Sequence, residues 1–258
     1  MERRSAVRTA VVWDALQTGL SARHTAVGAQ RPLQVVDVGG GTGGFAVRVA
    51  ELGHQVTVVD PSPDALAALE RRAAEVGATA AVRGVLGDAD SLADIIEPSS
   101  ADAVVCHGVL EVVDRPADAL VAVAQVLAEG GLLSVLAAQR SGAVFSRALA
   151  GHLGEARALL GDRSGDGSGA ADLAGPSGRT DATGRRFTGD ELSSLLAGAD
   201  LAVTETRGIR IFTDHISSSL VDSEPGAVDE LRALELAAST HPDFIAMATQ
   251  LHLLATRG

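Results

Sequence analysis

The residues best placed to do chemistry lie in one short run, VVDVGGGTGG, positions 35 to 44, where a β-rich apolar stretch runs into glycines and then into a helical pattern. Gly39, Gly41 and Gly44 satisfy the spacing G-x-G-x-x-G, which lets the backbone approach a ligand closely at a helix N-terminus. That spacing alone is shared by several nucleotide-binding classes. What distinguishes this run is a carboxylate, Asp37, two residues before the first glycine, where dinucleotide folds keep an apolar residue. A second carboxylate, Asp60, ends the next β-rich run 19 residues after Gly41, and an acid at that place can accept both hydroxyls of a ribose. The candidate binding turn is therefore Asp37, Gly39, Gly40, Gly41 and Gly43, with Asp60 and Pro61 facing it.

The elements needed to hold these residues follow from periodicity. From Leu33 to Ala138 short apolar runs alternate with helical stretches, the signature of βαβ units on a parallel sheet. Strands are expected at 33–38, 55–59, 80–85, 103–107 and 132–138, and helices at 43–52, 63–76, 91–96 and 117–128. Ser62-Pro63-Asp64 reads as a helix start, with serine as cap and proline at the first helical position. Glu129-Gly130-Gly131 reads as a helix stop. Further on, 188–197 and 227–239 read as helices, and 201–206 and 244–256 as strands. The fold class is α/β, doubly wound, in one domain spanning 1–258, with a helical segment over 1–30. Residues 161–186 are rich in Gly, Ser, Asp and Thr and are expected to form a mobile loop.

Other titratable residues fall at places where ligands of such folds bind. His107 ends the fourth strand, on the carboxyl edge of the sheet. Arg8 and Arg210 offer guanidinium forks suited to a carboxylate. For a hydroxyl acceptor a general base is needed, and His107, His215 and Asp214 compete for that role.

Composition bounds the rest. The 258 residues, 46% hydrophobic, suffice for a sizeable core. All 21 basic residues are arginine, and with neither lysine nor tyrosine the polar chemistry falls to Arg, His, Asp, Glu, Ser and Thr. A net charge of −12 opposes polyanions at long range. The lone Cys106 has no partner for a disulfide or zinc cluster, no metal site is expected, and no signal peptide or membrane span is read. A cytoplasmic setting fits.

With these motifs in place, the chain resembles the class I S-adenosylmethionine-dependent methyltransferases over Leu33 to Ala138. More narrowly, it is similar to the tRNA 5-carboxymethoxyuridine methyltransferase family. The narrower likeness rests on Arg8-Thr-Ala-Val-Val-Trp13-Asp14, on His107-Gly-Val-Leu-Glu111, on Gly208-Ile-Arg210-Ile-Phe212-Thr-Asp214 and on Leu234-Glu235-Leu236. The resemblance implies a seven-stranded sheet with an antiparallel last strand paired to the sixth. It also implies S-adenosylmethionine as cofactor, with Asp37 facing the ammonium of the methionine moiety, Asp60 and Pro61 at the ribose, and Asp88 and Ala89 at the adenine. Arg8 and His107 would border the cofactor. The acceptor would be a small-molecule acid or a tRNA, its carboxylate held by Arg210. Two readings from other classes stay open: a regulatory protein that binds the cofactor without turnover, and a nicotinamide oxidoreductase, against which Asp37 speaks.

Overall fold

The computed structural model describes residues 2–161, 185–217, 219, 221 and 224–258, the side chains of 2–6 and 8 excepted. The expected loop over 161–186 thus lies, but for Gly161, Arg185 and Arg186, outside the described residues. A long helix α1 (Glu2–Ala26) precedes β1 (Gln34–Val38), α2 (Gly44–Glu51), β2 (Gln55–Asp60), α3 (Pro63–Glu75), β3 (Val82–Leu86), α4 (Leu92–Ile95), β4 (Ala101–His107), α5 (Pro116–Val126) and β5 (Leu127–Ala138). Then follow α6 (Arg140–Leu149), α7 (Leu153–Gly161), α8 (Gly189–Gly198), β6 (Leu201–Ile209), α9 (Ala227–Ser239), α10 (Pro242–Ile245) and β7 (Gln250–Arg257).

The strands form one seven-stranded sheet of order β3-β2-β1-β4-β5-β7-β6, parallel except where β7 runs antiparallel between β5 and β6. Order reverses at β1, which lies between β2 and β4, so this is the switch point where open α/β sheets bind ligands. The chain divides into two compact units. One comprises 13–136, 193–205 and 253–258; the other comprises 1–12, 137–192 and 206–252. In the first, Ala15, Leu16 and Leu20 of α1 join Leu33 and Val35, the inner face of α2, and Val56 and Val58 of β2 in a buried core. Strands β1 and β4 are buried almost throughout, as parallel strands covered on both faces must be. In the second unit, Val7, Val221 and Leu231 form one small cluster, and Ile211, Ala238 and Ala248 another.

Two boundaries depart from the sequence reading, each for a local reason. The glycine pair 130–131 does not stop a helix: α5 ends at Val126 and Leu127 is already extended, so β5 starts five residues early. Pairing with β4 jumps from Ala101↔Leu127 to Ala103↔Leu132, which makes Ala128 to Gly131 a bulge, and Gly130 takes φ +62° there. The last strand begins at Gln250 instead of Phe244, because Pro242 at the first helical position and a capping His241 wind 242–245 into a helical turn. Helices α6 and α7 have no counterpart in the sequence reading. Among the described residues, no helix is long and apolar enough to cross a membrane.

Candidate functional site

In the first unit, β1 delivers Asp37 and then turns sharply. Gly39, Gly41 and Gly43 all have positive φ (66°, 55° and 76°), a region L side chains rarely adopt. Three of the glycines are also fixed by what surrounds them: a Cβ on Gly39 would sit 2.7 Å from Val109 Cγ2. A Cβ on Gly40 would sit 2.5 Å from Asp37 Oδ2, and one on Gly43 would sit 2.1 Å from Leu69 Cδ1. The turn is locked to its neighbour strand, since Gly39 N–H donates to the Val59 carbonyl at 2.8 Å. From the end of β2, Asp60 Oδ2 accepts the Gly41 N–H at 2.8 Å and Oδ1 accepts the Ser62 N–H at 2.9 Å. Ser62 in turn caps α3 by accepting the Ala65 N–H, with Pro63 next to it as expected. Each Asp60 oxygen retains lone-pair capacity for a hydroxyl donor.

Asp37 is only 4% exposed, and no hydrogen bond to its carboxyl group is made among the described residues. Burial, reinforced by the charge of Asp60, pushes its carboxyl group up to about 7. An anion so placed is costly until something positive or hydrogen-donating meets it. The cradle therefore suits a ligand with a cationic head for Asp37 and a vicinal diol for Asp60, joined over a backbone that bare glycines let come close. An ammonium-bearing nucleoside has this form, and S-adenosylmethionine fits it.

The other expected site residues are placed as follows. Pro61 is exposed next to Asp60, and Ala89 is buried. Asp88 is exposed and turned into its own loop: Oδ1 accepts both Ser91 N–H (2.9 Å) and Ser91 Oγ–H (2.8 Å), which holds the carboxyl group below its usual range. His107 ends β4 as expected, its ring edge-on to Phe45 at 4.9 Å and its Nε2 2.8 Å from Ser134 Oγ. Cys106, one residue before, has its thiol pushed up to about 12, first by burial and then by Glu111 and Asp37, so it supplies no thiolate. Arg8 lies in α1, and its side chain is outside the described residues. Trp13, in the part of α1 that belongs to the first unit, stacks against Phe45 (6.4 Å) and lies under the Arg48 guanidinium (4.0 Å).

In the second unit, Arg210 has φ +63° and directs Nε and Nη2 to Asp214 Oδ1 at 2.9 and 2.6 Å. Asp214 Oδ2 accepts from Thr249 Oγ1 at 3.0 Å. His215 packs its ring edge-on against Phe145, 5.4 Å away. Leu69, Phe45, Ser134 and Thr249 join these arrangements without belonging to any motif in the sequence. Of these only Ser134 left a trace, as one polar residue inside the apolar run LLSVLA; it is fully buried. Among the described residues no cluster of His, Cys, Asp and Glu could hold a metal ion.

The fold around this cradle has known relatives. A family model described as "Methyltransferase domain" matches residues 36–135, the stretch from β1 to β5 that carries it. The chain belongs to the class I S-adenosylmethionine-dependent methyltransferases. Among curated proteins it is 30% identical over 176 residues to the ubiquinone biosynthesis O-methyltransferase of Burkholderia ambifaria (strain MC40-6), covering 68% of this chain and 67% of that one. It is 31% identical over 146 residues to the tRNA 5-carboxymethoxyuridine methyltransferase of Escherichia coli (strain K12), covering 57% of this chain and 54% of that one. The chain thus spans about half the length of this second relative. The fold matches that of the magnesium protoporphyrin IX methyltransferase from Synechocystis PCC 6803 with bound S-adenosylhomocysteine, at a TM-score of 0.58 and 15% identity over 99% of this chain and 83% of the other.

Proposed function

We propose that this chain binds S-adenosylmethionine in the Asp37–Asp60 cradle and is an enzyme that methylates an oxygen of an anionic acceptor. The acceptor on this reading is a carboxylate, of a small molecule or of a tRNA wobble carboxymethoxyuridine. The observation that carries the reading is Asp37: a buried carboxylate with no hydrogen-bond or ion-pair partner among the described residues, next to a glycine turn, suits a cation. Asp37 would hold the ammonium, Asp60 the ribose diol with Pro61 beside it, and the Gly39–Gly43 backbone would border the ligand. Asp88 and Ala89 would flank the adenine, Asp88 after release from Ser91. When bound, the cofactor supplies a methyl group on a sulfonium, open to in-line displacement by an oxygen nucleophile. A carboxylate is already ionised near neutral pH, so the chain's task is to orient reactants and exclude water. For the acceptor the proposed contact is Arg210, and Arg8 is the second guanidinium proposed to hold a carboxylate.

A hydroxyl acceptor is the second reading. It is favoured by the longer match to proteins named for O-methylation in ubiquinone biosynthesis. A hydroxyl must lose its proton during transfer, which requires a base; His107 and His215 are the candidate imidazoles, and Asp214 bonds to Arg210 and Thr249. One screen separates the readings: labelled S-adenosylmethionine with unfractionated tRNA, a panel of small carboxylic acids, and a panel of phenols. Mild alkali releases the label as methanol from an ester and leaves it on an ether. Label that alkali releases supports the carboxylate reading; stable label supports the hydroxyl. No incorporation into any class overturns both in favour of a non-catalytic binding protein. If tRNA is the acceptor, its binding should weaken steeply with salt, whereas a small acid shows a shallow dependence.

A further inference from the structure

Glu235 in α9 is a carboxylate only 1% exposed, and four donors converge on it. Its Oε2 accepts Ile211 N–H at 3.1 Å; its Oε1 accepts Phe212 N–H at 2.9 Å, Thr213 N–H at 2.7 Å and the Thr213 hydroxyl. Three consecutive backbone N–H groups on one anion form a nest. Glu235 is thus the internal anion that fixes the backbone of 211–213, and at 1% exposure it is closed to solvent.

The segment so fixed has two other unusual features. Arg210, immediately before it, is a non-glycine residue in the left-handed region, a conformation that persists only where the surroundings impose it. Immediately after it, Asp214 ties the Arg210 guanidinium to Thr249, and His215 carries a buried Nε2 with no hydrogen-bond partner among the described residues. Held strain and an unsatisfied buried nitrogen on the same six-residue stretch are features of a binding segment rather than of a plain connection. Gly208 supports the same stretch from the other side, since a Cβ there would meet Ala248 Cβ at 2.9 Å and Ile245 Cα at 3.1 Å.

We infer that Glu235 is a positioning residue for the acceptor, acting through its clamp on 211–213 to hold Arg210 and His215 in the geometry that receives it. The inference rests on the reading of Arg210 as the acceptor contact. It explains why the clamp is a carboxylate. A glutamine at 235 can keep Oε1 as acceptor for Phe212 and Thr213, but it would turn an NH2 toward the Ile211 N–H, donor against donor. Thr213→Val is the milder probe, removing one of the four donors and leaving the backbone nest intact.

The experiment is a double-mutant cycle on the full chain with Arg210→Ala, Glu235→Gln and the pair. It is read as kcat and KM for whichever of tRNA, small carboxylic acid or phenol takes up methyl groups, with the S-adenosylhomocysteine Kd and thermal unfolding of each variant alongside. Positioning predicts that Glu235→Gln raises the acceptor KM about tenfold or more while the S-adenosylhomocysteine Kd stays within about twofold, that Thr213→Val gives a smaller rise, and that the pair is no worse than Arg210→Ala alone. Hydrogen exchange at the 211–213 amides should speed up in Glu235→Gln. If losses in the pair multiply, or Glu235→Gln lowers kcat through a smaller folded fraction at unchanged KM, Glu235 only holds the fold and the inference is overturned. Full activity in Arg210→Ala overturns the underlying reading, and the inference with it. Should Glu235→Gln fail to fold, Thr213→Val and its pair with Arg210→Ala decide by the same criteria.

Discussion

Lowering the pH from about 7 to about 5.5 should weaken binding of S-adenosylhomocysteine roughly fifteen-fold, because Asp37 must be ionised to meet an ammonium group. The sign follows from the shift. Burial and Asp60 raise the folded carboxyl group from 3.8 to about 7, so below that pH the ligand-free cradle is mostly protonated, and binding must expel the proton. The apparent Kd is multiplied by about one plus ten to the power of pKa minus pH, which is about 2 at pH 7 and about 30 at pH 5.5, a difference of about 1.6 kcal/mol. Calorimetry in two buffers of different ionisation enthalpy, at each pH, reads both the affinity and the proton released. The release should approach one proton at the lower pH. Asp37→Asn should bind more weakly and lose most of the pH dependence. A Kd that stays flat across this window, with no proton exchanged by the wild-type protein, would refute the reasoning that the ammonium meets Asp37. The same shift has a consequence without ligand: Asp37's own contribution to stability is fully present below the ordinary carboxyl value and is lost as pH rises to about 7.

Two further outcomes follow from the geometry. Gly43→Ala combines a φ of +76° with a Cβ 2.1 Å from Leu69 Cδ1, so denaturant unfolding should report a loss of at least about 2 kcal/mol; a loss under about 0.5 kcal/mol would mean that the turn can relax. Asp102 accepts Gln34 N–H at 2.9 Å and a two-pronged contact from Arg31 at 2.6 and 2.9 Å. Burial raises its carboxyl group, but the Arg31 and Gln34 contacts outweigh that and hold it below its usual range. Its contribution is therefore present at neutral pH and lost as pH falls through the lowered value. Asp102→Ala should cost about 2 kcal/mol at neutral pH, most of it from the partly buried hydrogen bond that Gln34 N–H makes to the buried Asp102 carboxylate, since Arg31 is half exposed. The difference from wild type should shrink in acid.

The parts of the molecule that were legible in the sequence are those whose causes are local. A strand, a glycine turn and a helix cap are each written in a few consecutive residues, and so Asp37, Gly39 to Gly43, Asp60 and the Ser62 cap all lie where their spacing put them. The two misplaced boundaries are cases in which one local signal has two physical outcomes. A glycine pair ends a helix or makes a bulge, and only the pairing of β5 with Ala101 and Ala103 decides which. An apolar run with a proline starts a strand or a helical turn, and the capping His241 tips 242–245 to the latter. The least legible features are contacts between distant residues. Glu235 reaches 22 residues back to Thr213, Ser134 meets His107 across 27 residues, and Leu69 of α3 fixes Gly43 ahead of α2. No spacing rule announces such pairings, although Glu235 and Ser134 are marked in retrospect as polar residues buried in apolar runs.

The measurement that bears most directly on the whole account is a calorimetric titration of the purified chain with S-adenosylhomocysteine and, separately, with NAD, repeated on Asp60→Ala. The cradle predicts saturable one-to-one binding of S-adenosylhomocysteine and no saturable binding of NAD. It also predicts a loss of about 2 kcal/mol or more in the variant, since Asp60 would give up two hydrogen bonds to a charged group. Saturable NAD binding with no response to S-adenosylhomocysteine, or an Asp60→Ala variant that binds S-adenosylhomocysteine as tightly as wild type, would contradict it.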